Sequence, residues 1–171
     1  MVRNLFIIIL AAVFVIGCDK EDRKNTYADQ ESRIDAWATS QGAEFPVVLN
    51  SGVVRVVVSE GSGSELQKGD SLYFHYSGYV FSNGKGGLFY TNDPEVAKDA
   101  GFVTDGKPIG IKYGSSALLK GLALGLEGVK EGEHCYIVFS ARYGYGNQIM
   151  STLPKLTPLL FEMKIDKITR N

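Results

Sequence analysis

The chain has 171 residues, of which 44% are apolar and 22% charged, and its formal net charge is −1. This length and composition suit one globular domain with short additional segments rather than two full domains. No basic run occurs in the sequence, which argues against nucleic acid as a partner because phosphate binding requires clustered lysine and arginine.

The N-terminal stretch MVRNLFIIILAAVFVIGC carries one charge, Arg3, ahead of an apolar run. The run is shorter than the roughly 20 residues that span a bilayer, so it predicts a signal peptide over residues 1–17. The ending VIGC resembles the lipobox of bacterial lipoproteins, which implies that Cys18 becomes a lipidated N-terminus and a lipid anchor in the membrane. An ordinary secretory signal or a short membrane anchor is the alternative. If Cys18 is lipidated, Cys135 remains as the single thiol and no internal disulfide forms.

Residues 18–25 are polar and lack periodicity, which predicts a tether between the anchor and the domain. The Lys-Glu-Asp run after Cys18 resembles the surface-export signal of Bacteroidota lipoproteins. Asp19 resembles an inner-membrane retention signal of other Gram-negative bacteria, and a simple soluble tether is a third reading. We expect a lipid-anchored location in the cell envelope, at the outer membrane, with the periplasmic or surface face left open.

A helix and a linker are predicted over residues 26–50, with Thr26 as the N-cap and Gly42 as the end of the helix. In this helix, Ile34, Trp37, Ala38 and Gln41 are predicted to fall on one face. We expect Trp37 to pack the helix onto the domain rather than to bind a ligand.

The period changes after residue 51, and the segments SLYFHYSGYV, HCYIVFS and LFEMKIDKI alternate between apolar and polar residues. Such alternation is typical of an antiparallel sheet with one wet face. Two helical pieces interrupt the strands: DPEVAKDAG, with Asp93 as N-cap and Gly101 as stop, and ALLKGLALGLEG. The fold class predicted for residues 51–171 is therefore α+β.

The motifs of covalent, acid–base and metal chemistry are missing from the sequence. His75 and His134 lie in predicted strands, and no Ser stands in a nucleophile elbow. Cys135 follows His134 directly, and neighbours in a strand point to opposite faces, so one metal site can hardly use both. The segments GSGS and GKGG open no helix and are interpreted as turns rather than phosphate loops. We expect no metal and no cofactor.

Three segments in matching order and spacing resemble the FKBP family of peptidyl-prolyl cis-trans isomerases. They are KGDSLYFHYSGYVFSNGKGGLFYTN, PIGIKYGSSALLKGLALGLEGVKEGE and SARYGYGNQIMSTLPKLTPLLFEMKI. The helix inserted after FYTN further resembles FKBP-like lipoproteins of Bacteroidota. The resemblance implies an antiparallel sheet wrapped around a short helix, with an extra N-terminal helix and a small inserted helix.

The resemblance also implies an activity that fits the missing catalytic groups. Isomerisation of an Xaa-Pro bond breaks no covalent bond, so an apolar pocket that favours the twisted amide needs no nucleophile. The implied clients are proline-containing polypeptides outside the cytoplasm. The implied catalytic side chains are Tyr76, Phe89, Tyr145 and Phe161. The implied substrate-binding side chains are Tyr90, Ile109, Leu118, Leu119, Leu122, Ile149, Met150 and Leu153.

Three positions depart from the family pattern: Tyr90 replaces an aspartate, Ile109 an aromatic residue and Leu122 a tryptophan. These departures predict weak or moderate isomerase activity. The alternative is a non-catalytic FKBP-like chaperone or an accessory subunit of an outer-membrane protein complex. A third reading, a surface glycan-binding lipoprotein, would use Tyr73, Tyr79 and Tyr90 as a platform.

Overall fold

The computed structural model describes the backbone of residues 2–170 and the side chains of residues 20–170. Cys18, the predicted lipid anchor, lies outside the residues whose side chains are described. In the described part of the chain, no helix is both long and apolar enough to cross a membrane. The elements in chain order are α1 (Val2–Gln41), β1 (Val47–Asn50), β2 (Val53–Ser59), β3 (Ser71–Phe81), β4 (Lys85–Thr91), α2 (Pro94–Ala100), β5 (Ile109–Lys112), α3 (Lys120–Gly125), β6 (His134–Phe139) and β7 (Leu159–Thr169).

The strands form one antiparallel sheet in the order β1-β2-β6-β7-β3-β4, with β5 beside β3. Strand β3 is central, because β7 pairs with one edge along most of its length and the other edge is divided. β5 pairs with the first part of that edge and β4 with the last part. The predicted α+β architecture, with a short helix against an antiparallel sheet, is confirmed.

The main core lies between the sheet and α3. Alternate apolar residues of β3, β6 and β7 face the helix, as the period of two in these segments predicts. Their fully buried members include Leu72, Ile137, Phe139, Leu159 and Met163. Leu126, at the C-cap of α3, is also fully buried in this core.

A second core lies on the opposite face of the sheet, against α1. Ile34 and Ala38 of α1 are buried there, and Trp37 packs edge-on against Phe81 with the ring centroids 5.8 Å apart. The expectation of one wet face is therefore wrong where α1 covers the sheet. The nearly continuous apolar run of β2 fits this arrangement, because both of its faces are covered.

Helix α1 ends at Gln41, just before the predicted stop at Gly42, but it begins well before Thr26. Thr26 is not an N-cap; its hydroxyl donates to the carbonyl of Asp22 one turn earlier, at 2.8 Å. The stretch expected to be an irregular tether is helical instead. Its Lys, Glu and Arg residues have high helix propensity. Because these residues are polar, they show no hydrophobic period that would indicate a helix.

Candidate functional site

A pocket opens between α3, a long loop and the strands β4 and β5, which share the divided edge of β3. This loop, residues 140–158, joins β6 to β7 and is called the roof loop below. The pocket consists of two adjoining cavities of about 180 and 260 Å³, which share Tyr76 and Tyr145. The smaller one is called the floor cavity and the larger one the roof cavity. The side chains that line the floor cavity are Phe74, Tyr76, Ile109, Ile111, Ala117, Leu118, Leu119, Leu122, Tyr145 and Phe161.

Helix α3 forms the floor because it approaches the sheet unusually closely. A Cβ atom on Gly121 would lie 2.4 Å from the ring of Phe139, and one on Gly125 would lie 2.3 Å from Ile137. The two glycines lie about one turn apart, on the helix face that meets β6. This contact places Leu122 on the pocket floor. It also fixes the turn before the helix, which contributes Leu118 and Leu119 to the floor.

Aromatic rings form one wall of the pocket. Tyr76 stacks against Tyr90, with centroids 5.1 Å apart and an angle of 26° between the rings. Phe89 meets Phe161 edge-on at 5.9 Å and lies over Gly78, where a Cβ atom would come within 2.5 Å of the Phe89 ring. The glycine of the His-Tyr-x-Gly segment therefore leaves the space that the Phe89 ring occupies.

Burial, reinforced by Tyr90 and Tyr145 nearby, raises the pKa of Tyr76 from 10.0 to about 12. Its hydroxyl is therefore a neutral group at physiological pH. The described side chains that line the two cavities include no carboxylate, ammonium, guanidinium or imidazole. The pocket can offer apolar surface and neutral hydroxyl groups, and it provides no ionised side chain for proton transfer.

The roof cavity is closed on one side by a tight turn in the roof loop. Met150 and Leu153 exchange two backbone hydrogen bonds, at 3.1 and 2.8 Å, and Ser151 between them has a positive φ of 53°. The side chains that line this cavity are Tyr76, Phe89, Tyr90, Tyr145, Met150, Ser151, Thr152 and Leu153. Ile149, expected to bind substrate, lines neither cavity and is 66% exposed, because the inward turn begins only at Met150.

All the other residues implied by the resemblance lie on these two cavities. The lining residues that the sequence analysis missed are Phe74, Ile111, Ala117, Ser151 and Thr152. Phe74 and Ile111 could have been found, because each stands two positions along a strand from a predicted site residue and shares its face. Ser151 and Thr152 follow no such period, since they belong to a turn.

Asn92 is a further residue that the sequence analysis missed, and it fills the gap on the divided edge of β3. Its Oδ1 accepts from the backbone N–H of Tyr76 at 2.7 Å, and its own N–H donates to the Tyr76 carbonyl at 3.2 Å. Its Nδ2 donates to the carbonyl of Lys107 at 2.9 Å. One buried amide thus joins both ends of the α2 insertion and fixes the backbone of a pocket residue.

Asp93 begins α2 as predicted, and Gly101 ends it with a φ of 72°. The Asp93 carboxylate accepts from the N–H groups of Glu95 and Val96 and pairs with Lys164 at 2.6 Å. Although burial alone would raise the pKa of Asp93, the Lys164 and backbone hydrogen bonds hold it below its ordinary value. This carboxylate is occupied as a helix cap and does not line the pocket.

The remaining reactive groups lie away from the pocket. Cys135 is fully buried, and burial, with Glu133 nearby, raises the pKa of its thiol. His134, on the other face of β6, contacts Glu162 at 3.0 Å. Among the described residues, no group of three or more potential metal ligands is found. Together, these features describe a pocket whose described lining consists of apolar side chains and neutral hydroxyl groups.

Comparison with known proteins assigns the chain to a family. Residues 63–166 match the family model of the FKBP-type peptidyl-prolyl cis-trans isomerases. The chain belongs to this family and is an FKBP-type peptidyl-prolyl cis-trans isomerase.

The chain is similar to several fungal relatives. It is 26% identical over 118 residues to FK506-binding protein 1 of Aspergillus oryzae, covering 68% of this chain and 98% of that protein. It is 34% identical over 121 residues to FK506-binding protein 3 of Eremothecium gossypii, covering 69% of this chain but only 25% of that protein. It is 30% identical over 118 residues to a peptidyl-prolyl cis-trans isomerase of Saccharomyces cerevisiae, covering 69% of this chain and 25% of that protein.

The crystal structure of FkpA from Escherichia coli has the same fold. The two structures superpose with a TM-score of 0.61 at 19% sequence identity, over 95% of this chain and 70% of that one.

Proposed function

We propose that this isomerase acts on Xaa-Pro bonds of extracytoplasmic proteins by holding the proline in the floor cavity, without covalent catalysis. The observation that carries the proposal is the uncharged lining of that cavity. Its volume of about 180 Å³ lies below the roughly 300–1,000 Å³ typical of sites for drug-sized ligands, so it suits a small ring.

An apolar cavity favours rotation because of the electronic structure of the amide. Resonance gives the planar peptide bond its charge separation and a rotation barrier of about 18–20 kcal/mol. Water stabilises the separated charges of the planar form better than an apolar wall does, so transfer into the floor cavity penalises the planar form more than the twisted form. Burial of the proline ring among Ile109, Leu122 and Phe161 supplies the binding free energy.

Polar groups at the rim are free to hold the rotated carbonyl. Within the described residues, the Tyr145 hydroxyl forms no hydrogen bond, although its side chain lines both cavities. The backbone N–H group of Leu119 likewise donates to no described carbonyl. We assign these groups to the substrate, where they act as preorganised donors to a carbonyl that has left the amide plane.

Replacement of the Tyr145 hydroxyl tests this assignment. Tyr145→Phe keeps the ring and removes one donor, so kcat/KM on an Xaa-Pro peptide should fall about five- to tenfold, the effect of one hydrogen bond. A protease-coupled assay measures the change. Tyr143→Phe is the matched control, because Tyr143 lines neither cavity. Equal rates for wild type and Tyr145→Phe would remove the hydroxyl from the mechanism.

The location of the activity is part of the proposal. Residues 1–17 as a signal peptide and Cys18 as a lipidated N-terminus would anchor the enzyme in the cell envelope, at the outer membrane, next to secreted clients or an outer-membrane protein complex. Fatty-acid labelling and membrane fractionation test this. Cys18→Ser should abolish the label and leave the membrane fraction without processed enzyme, whereas Cys135→Ser should change neither. Label that persists in Cys18→Ser would contradict the anchor.

A further inference from the structure

The side-chain amide of Gln30, in α1, forms hydrogen bonds to both ends of the roof loop. Its Oε1 accepts from the backbone N–H of Ala141 at 2.9 Å, and its Nε2 donates to the carbonyl of Leu156 at 2.7 Å. Gln30 is only 5% exposed, so water competes little for these bonds. A single side chain thus joins two backbone groups that are 15 residues apart in the chain.

The Gln30 bonds complete a network at the base of the loop, next to Tyr145. The N–H of Gly146 donates to the Ala141 carbonyl at 2.9 Å, and the N–H of Leu156 donates to the Gly146 carbonyl at 2.8 Å. Three backbone segments therefore meet at Gly146, which directly follows Tyr145 in the chain. The outer two segments are held by Gln30.

Neighbouring residues on the same face of α1 reinforce the contact. Glu31 accepts a hydrogen bond from the Ser140 hydroxyl at 3.0 Å and lies 3.6 Å from the Arg142 guanidinium. That guanidinium lies over the ring of Tyr27, 5.4 Å from its centroid. Tyr27, Gln30 and Glu31 lie within about one helical turn of each other, so they share one face of α1. This face contacts the roof loop through the interactions just described.

We propose that Gln30 is a positioning residue of the isomerase: it fixes the roof loop so that Tyr145 and the Met150–Leu153 turn stay in place over the pocket. Helix α1 lies outside residues 63–166, the part matched by the family model, yet through Gln30 it supports the site. The inference rests on the proposed function, in which this pocket is where the Xaa-Pro bond rotates.

The test compares Gln30→Met with wild type in the full chain. Methionine has nearly the same length but makes neither bond, which leaves the buried Ala141 N–H unsatisfied and releases the loop. We expect kcat/KM on an Xaa-Pro peptide to fall about tenfold, the loss of roughly two hydrogen bonds offset by partial rehydration. Amide hydrogen exchange across residues 141–156 should become faster at the same time.

Two further variants separate positioning from general stability. Ile34→Ala weakens the packing of the same helix without touching the roof loop, so it should lower the melting temperature and leave kcat/KM unchanged. In a Tyr145→Phe background, Gln30→Met should cost less than tenfold, because the part of its effect that depends on the Tyr145 hydroxyl is already lost. If Gln30→Met fails to fold, Gln30→Glu takes its place, since its carboxylate keeps an acceptor for the Ala141 N–H and puts a second acceptor, instead of a donor, against the Leu156 carbonyl.

Several results would overturn the inference: unchanged kcat/KM and exchange in Gln30→Met, an equal loss in Ile34→Ala, or full additivity with Tyr145→Phe. The exchange measurement does not depend on activity. Faster exchange in Gln30→Met combined with an inactive wild type would contradict the proposed function and support loop positioning, so the two failures are distinguishable.

Discussion

Tyr90 stands where the resemblance to the family implies an aspartate, and its ring stacks on Tyr76 at the edge of the roof cavity. Prolyl isomerisation requires no ionised side chain, so this replacement changes the shape and polarity of a wall rather than removing a reacting group. Since the side chain is 41% exposed, it is accessible to the residues that flank the proline. We therefore expect Tyr90 to affect the preference among peptide substrates more than the rotation of the Xaa-Pro bond.

We expect Tyr90→Asp to keep isomerase activity and to change its selectivity. An aromatic contact between Tyr90 and the residue before proline would be worth about 0.5–1.5 kcal/mol, so peptides with an aromatic residue there should lose several-fold in kcat/KM. Peptides with alanine there should change little. Tyr90→Phe keeps the ring and should match wild type across the same peptide series. Complete inactivity of Tyr90→Asp on every peptide would show that the ring is needed for the reaction itself.

The described lining of the pocket has no carboxylate, ammonium, guanidinium or imidazole group, which predicts a flat pH profile near neutral pH. Tyr76 stays protonated because burial, with its tyrosine neighbours, raises its pKa to about 12. We expect kcat/KM to be constant between about pH 6 and 9, measured with the Xaa-Pro exchange assay described below. A bell-shaped profile in that range would contradict a mechanism without proton transfer.

The same tyrosine links stability to alkaline pH. The folded state holds the Tyr76 proton more tightly than the unfolded state, whose pKa is the ordinary 10.0. Its contribution to the free energy of unfolding is therefore fully present below about pH 10 and is lost as pH rises through about 12. Urea unfolding at successive pH values should show this loss in wild type and a smaller one in Tyr76→Phe.

At the scale of single elements, the segment ALLKGLALGLEG is helical only over Lys120–Gly125, shorter than predicted, and the closeness of this helix, α3, to the sheet was not predicted. The leucine spacing indicates an apolar face, and Leu122 and Leu126 are indeed buried. Hydrophobic periodicity treats glycines as gaps, so it gives no sign that Gly121 and Gly125 are contact positions. Only the pairing of α3 with Phe139 and Ile137 shows why no side chain fits there.

Gly121→Ala tests this close contact. The new methyl group would clash with the Phe139 ring, so α3 must move away from β6, which should lower the free energy of unfolding by about 1–3 kcal/mol. Gly87→Ala is the matched control, since a Cβ atom there has no neighbour within 4 Å, and it should change stability by less than about 0.5 kcal/mol. Equal urea midpoints for the two variants would show that a methyl group at residue 121 fits between α3 and β6.

Helix α1 has one boundary that the sequence predicts and one that it does not. Its end at Gln41 and its buried face follow from Gly42 and from the spacing of Ile34 and Ala38. Its early beginning does not, because residues 20–25 are polar on all sides and lack the apolar stripe on which periodicity depends. High intrinsic helix propensity is the only local signal, and it is weak over so few residues.

At the scale of the whole molecule, most of the pocket residues could be predicted from the sequence through its resemblance to the FKBP family, and Phe74 and Ile111 could be added from the period of two in the strands. Buried amides could not. Gln30 and Asn92 each join backbone groups from distant parts of the chain, and only the folded chain brings those groups together. No periodicity or motif marks such residues, since their partners are carbonyls and N–H groups that every residue carries.

The most direct test of the central claim is the rate of cis–trans exchange in an Xaa-Pro peptide, measured by NMR exchange spectroscopy with a catalytic amount of the full chain. The enzyme should raise the exchange rate well above the uncatalysed rate, which corresponds to tens to hundreds of seconds, and leave the equilibrium ratio of the two isomers unchanged. An exchange rate equal to that in buffer alone would contradict the account.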